Sequence, residues 1–114
     1  MVGIDFTLAK GKRRRDWLDI DRNVKFSENI HFHLRGKERN NASLRLLLDL
    51  DQYSDRLFSE KEIKELLSIS DYLLSNYQAE YDRMEKEIRK FASELKELCL
   101  EAIEQNLFII ALGD

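Results

Sequence analysis

The chain has 114 residues, 43% of them hydrophobic and 36% charged, and its net charge is −3. That is the length of one domain, 1–114, with enough apolar material for a core, and the charge excess over the roughly 25% usual in soluble domains suits exposed helix faces. The single cysteine excludes an intramolecular disulfide, and the longest apolar run, Leu107 to Leu112, is far short of the ~20 residues that a membrane-spanning helix needs.

Charge is divided along the chain. Residues 1–45 carry 11 Lys and Arg against 6 Asp and Glu, whereas residues 46–114 carry 8 against 16. A basic amino-terminal part and an acidic remainder polarise the surface. The opening MVGIDFTLAKGKRRR has no apolar stretch behind a charged start, so it does not read as a secretory signal. The expectation is a soluble, cytoplasmic protein.

Val2, Ile4, Phe6 and Leu8 alternate with Gly3, Asp5 and Thr7, the pattern of a half-buried strand over 2–8. Ala9 to Arg15 follows as a basic turn in which Gly11 is expected to allow the reversal. From Leu18 to Leu34 the even positions are mostly apolar. Breaks at Asp21-Arg22-Asn23 and Ser27-Glu28-Asn29 divide this stretch into two expected strands, 17–26 and 30–35, paired as a hairpin. Residues 43–50 (SLRLLLDL) fit either periodicity. The lack of β-branched residues and a capping Asn41 favour a short helix. Asp49 to Phe58 reads as a connection.

Ser59-Glu60-Lys61-Glu62 is a capping box and marks a firm helix start. From Ile63 to Ala102 an apolar stripe steps by four and three residues without Gly or Pro. Glu60 with Lys64, Asp82 with Lys86 and Glu85 with Arg89 are spaced for ion pairs along it. A single helix over this span would be ~70 Å long, against a radius of gyration of ~13 Å for a domain this size. Ser75-Asn76 is the weakest point, so two antiparallel helices, 59–75 and 77–105, are expected. Leu107 to Leu112 reads as a buried strand within 106–112, placed centrally beside 2–8. The predicted architecture is α+β: a small, mostly antiparallel sheet (2–8, 17–26, 30–35, 106–112) with two long helices on one face. The other face is expected to be polar, with Asp5, Asp19, Asp21, Lys25, His31 and His33.

Few residues suggest chemistry. On a strand, His31 and His33 would share a face with Asp19 and Asp21, and two imidazoles with a carboxylate could hold zinc. The spacing alone is unspecific, and a solvated polar face explains it equally simply. Asp19-x-Asp21-x-Asn23 and Asp49-x-Asp51 both fail as calcium loops at the required glycine or ligand positions. Cys99 lies beside Leu98 on the stripe with no base nearby, which suits an inert buried thiol. No nucleophile elbow, phosphate loop, zinc-finger spacing or dinucleotide fingerprint occurs, so neither enzyme activity nor a cofactor is expected.

The sharpest local signal is Lys10-Gly-Lys-Arg-Arg-Arg15 followed by Trp17. Lys12, Arg13, Arg14 and Arg15 could track phosphates while Trp17 stacks on a base. No nucleic-acid-binding motif surrounds them, so nucleic acid is the second expectation. A homodimer through the helical stripe is the third. The first is a non-enzymatic protein-binding module whose Asp49, Asp51 and Asp55 steer a basic partner. This small, acidic profile resembles bacterial immunity proteins, which neutralise a toxin by capping it. The likeness is one of profile, without a matching motif.

Overall fold

A computed structural model describes residues 3–11, 13–17 and 23–113 of the chain. Its elements run β1 (Gly3–Ala9), a 3-10 turn (Arg14–Asp16), β2 (Val24–Ser27), α1 (Glu28–Lys37), a 3-10 turn (Ala42–Leu44), α2 (Arg45–Leu48), β3 (Arg56–Phe58), α3 (Glu60–Asn76), α4 (Arg83–Gln105) and β4 (Phe108–Leu112). The sheet is antiparallel in the order β2-β1-β4-β3. As expected, β4 is central and lies beside β1. Ile109, Ile110 and Ala111 are all buried, so successive residues are covered on both faces.

The two long helices cover one face, as the stripe requires. Ile63, Leu66, Ile69 and Leu73 of α3 and Ile88, Phe91, Leu95, Leu98 and Ala102 of α4 join Ile4, Phe6, Leu8, Phe26, Phe58 and Ile109 in one core. Its centre is aromatic. Phe91 stacks on Phe26 with ring centroids 4.6 Å apart, and Phe6 lies 6.3 Å from Phe26, 6.2 Å from Phe91 and 6.0 Å from Phe58. Such pairs add to the burial of large apolar area. Of the stripe expected to bind a second copy, Ile88, Phe91, Leu95, Leu98 and Ala102 are buried inside the chain, whereas Tyr81 is exposed.

The break between the long helices falls where expected, and a second cap sharpens it. Asp82 accepts from Glu85 N at 3.1 Å to start α4, while Ser59 and Glu62 form the capping box of α3. Of the three expected ion pairs, Glu60–Lys64 is present at 3.7 Å. Glu85 and Arg89 serve the 77–82 connection instead: Glu85 accepts from Ala79 N, and Arg89 donates to the carbonyls of Tyr77 (2.7 Å) and Ala79. The result measures 40 × 29 × 26 Å instead of forming a rod. Asn106 ends α4 in the left-handed conformation (φ 56°) and turns the chain into β4.

One expected strand is a helix. Residues 30–35 belong to α1, which Ser27 caps by accepting from Ile30 N at 3.2 Å. The alternation of Ile30, Phe32 and Leu34 is coincidental: Ile30, His31 and Leu34 are buried at helical spacing, whereas Phe32 is 80% exposed. The 17–26 strand is shorter than expected. It comprises β2 and a bridge from Trp17 to Ala9, while residues 18–22 lie outside the described residues. Within residues 43–50 the expected short helix is present as α2, and Asn41 caps the 3-10 turn before it by accepting from Ser43 N at 3.1 Å. The 49–58 connection contains the short edge strand β3. Among the described residues, no helix is long and apolar enough to cross a membrane.

Candidate functional site

Asp49, Asp51 and Asp55 all lie exposed on the loop from α2 to β3, and Tyr53 stands among them at 67% exposure. The loop is held at several points. Leu50 is buried in the core, and Asp51 accepts from Tyr53 N at 2.8 Å and, through its carbonyl, from Ser54 N at 3.3 Å. Asp55 accepts from Gly113 N at 3.1 Å, tying the loop to the end of β4. Gly113 packs so closely that an added Cβ would lie 2.6 Å from Ser54 N and 2.8 Å from Gln52 O. A side chain there would force backbone apart. The loop therefore presents one aromatic ring and three carboxylates from a restrained frame, with little ordering left to pay for on docking.

The histidine pair separates. On α1, His31 and His33 are two residues apart and so about 200° apart around the helix axis. His31 is buried, its Nε2 2.8 Å from Leu48 O and its ring 4.7 Å from that of Phe26. Because a carbonyl only accepts, Nε2 carries the proton. Desolvation pulls the His31 pKa below its ordinary value. The Leu48 carbonyl opposes that pull, Arg35 reinforces it and Asp49 opposes it. His33 instead lines a shallow groove of about 450 Å³ with Glu28, Asn29, Phe32 and Met84. Asp19 and Asp21 lie outside the described residues, among which no cluster of three metal-ligating side chains exists. The shared strand face that a zinc site on His31 and His33 would need is absent, because residues 28–37 form a helix. His31 serves the packing of α1 against the α2 end.

Two further groups are structural. The Glu38 carboxylate, just after α1, accepts from Tyr77 OH at 2.5 Å, Tyr72 OH at 2.9 Å and Asn41 Nδ2 at 3.2 Å, with Lys37 over the Tyr77 ring. Burial works against its charge, but the hydrogen bonds from Tyr77, Asn41 and Tyr72 prevail and hold the carboxyl below its usual range. Cys99 is fully buried, and desolvation pushes its thiol up to about 12, as suits an inert side chain.

At the other end of the sheet, Lys10 to Asp16 form a closed loop. Lys10 N donates to Asp16 O at 2.7 Å, and Asp16 N donates to Arg13 O at 2.8 Å. Gly11 does not serve the reversal through a positive φ; it makes room for Asp16, whose Oδ2 would lie 2.8 Å from an added Cβ. Lys10, Arg13, Arg14 and Arg15 are exposed, Trp17 is half-buried, and Lys12 lies outside the described residues. The register fixes the two loops apart. Asp5 faces Leu112 at the acidic end and Ala9 faces Phe108 at the basic end, with β1 running roughly 13 Å between them. Tyr53 and Phe108 were not among the residues singled out from sequence. For Tyr53 the available signal was its place two residues after the turn-forming Asp51.

Comparison with known proteins finds no matching family model, no matching curated protein and no matching solved structure.

Proposed function

We propose that this chain is a non-enzymatic protein-binding module that docks a basic partner protein through the 49–55 loop, in the manner of a toxin-neutralising immunity protein. The observation that carries the reading is Tyr53, 67% exposed among Asp49, Asp51 and Asp55 on a frame pinned to Gly113. A rigid tyrosine supplies contact area at low entropic cost and is a frequent anchor in interfaces. The surrounding carboxylates steer a cationic surface onto it and reject anionic competitors.

Affinity capture from producing cells tests the reading with two variants. In D49N/D51N/D55N the asparagines at 51 and 55 keep the oxygens that accept from Tyr53 N and Gly113 N, and the three substitutions together remove the charge. Tyr53→Ala removes the ring. The expected result is one stoichiometric basic protein on the native chain, eluted by salt and depleted on both variants. Equal recovery on all three baits, or no stoichiometric protein at low salt, would overturn the proposal.

A further inference from the structure

The basic end of the sheet has a feature that the docking loop does not use. Trp17 bridges Ala9 on one side, and Phe108 pairs with Ala9 on the other. Residues directly opposite one another in antiparallel pairs share a face, so Trp17, Ala9 and Phe108 form one row on the face away from the helices. Two strand spacings separate the aromatic residues by about 10 Å, with the fully buried Ala9 between them. Trp17 is half-buried and Phe108 is 38% exposed, whereas Thr7 and Ile110, one row inward, are fully buried. The accessible aromatic surface is thus confined to the sheet end from which the Lys10–Asp16 loop projects.

That loop holds Lys10, Arg13, Arg14 and Arg15, all exposed and none paired with a carboxylate among the described residues. Four cations alone fit any polyanion. An aromatic row beside them favours a polyanion that also carries flat rings. We propose that this end of the sheet binds single-stranded nucleic acid, its phosphates on Lys10, Arg13, Arg14 and Arg15 and its bases against Trp17 and Phe108. Cations that follow the backbone beside aromatic side chains are the arrangement that binds single strands with little sequence preference. A duplex keeps its base faces stacked within the helix and offers the row nothing.

The chain contains one tryptophan, so its intrinsic fluorescence reports on Trp17 alone. Titration of the full chain with a single-stranded 12-mer at 50 mM salt is expected to quench that emission saturably. Anisotropy of the labelled strand should rise over the same range. R13A/R14A/R15A, which alters only exposed side chains, should weaken binding at least tenfold. It should also flatten the plot of log affinity against log salt by about 2, since each lost phosphate contact removes roughly 0.7. Phe108→Ala should weaken binding roughly tenfold and leave the slope unchanged. Three results would each overturn the proposal: binding without quenching, affinity unchanged in the triple variant, or equal affinity for duplex, for phosphatidylserine vesicles or for a peptide of the acidic 49–55 loop.

Discussion

Truncating Phe91 to alanine tests the packing on which the rest of the structure depends. Phe91 is 2% exposed, stacks on Phe26 at 4.6 Å and lies 6.2 Å from Phe6. Loss of a buried phenylalanine costs about 3–5 kcal/mol, and the site is walled by β-strand aromatics that cannot easily collapse into the gap. We take about 4 kcal/mol, a large share of the 5–15 kcal/mol typical of a whole domain. For a chain of this length that lowers Tm by roughly 15 °C. Phe32→Ala is the matched control, because Phe32 is 80% exposed on α1 and should cost no more than about 0.5 kcal/mol. Urea unfolding followed by circular dichroism should therefore show a large fall in midpoint for F91A, none for F32A, and the same slope in both. Equal destabilisation by the two substitutions would refute the reasoning. It is the outcome expected if residues 30–35 formed a strand with Phe32 turned into the core.

Two effects of pH follow from the buried polar groups. Burial depresses the His31 pKa, so the unfolded chain binds the proton more readily; stability should be full above about pH 6.5 and decline as pH falls towards the lower folded value. Unfolding midpoints from pH 7.5 to 5 should show that decline in the native chain and a flatter profile in His31→Gln. Glu38 is likewise held below its usual range, so its contribution should be present above about pH 4.5 and vanish as pH falls through the folded value. Glu38→Gln should cost about 1–2 kcal/mol at pH 7, since the amide replaces a charged acceptor of two tyrosine hydroxyls with a neutral one, and the difference from the native chain should shrink in acid.

Elements marked by long patterns or by caps could be read from the residues alone. The Ile63–Ala102 stripe, the Ser59 box and the apolar Leu107–Leu112 run led to α3, α4 and the central β4. Local competition obscured the rest. In residues 28–37 the apolar positions satisfy a period of two as well as the helical spacing of Ile30, His31 and Leu34. The helix wins through the Ser27 cap, Glu28 in the first turn and Arg35 and Lys37 in the last. That outcome also dissolved the His31–His33 pair. β3 escaped notice because three edge residues are too few for a pattern, and β4 supplies its pairing. The acidic residues were identifiable by charge, but the frame around Tyr53 depends on Gly113, 60 residues further along the chain. The Trp17–Ala9–Phe108 row likewise depends on register.

The central claim, that Tyr53 and its carboxylates form the docking surface, is tested most directly by association and dissociation rates with the captured basic partner. Two-thirds of a tyrosine surface is roughly 130 Å², worth about 3 kcal/mol if fully buried and about 2 kcal/mol after ordering costs. Tyr53→Ala should thus speed dissociation about 30-fold and barely change association. D49N/D51N/D55N should slow association about tenfold at low salt, with the difference fading as salt rises. Rate constants within twofold of the native chain for both variants would contradict the account.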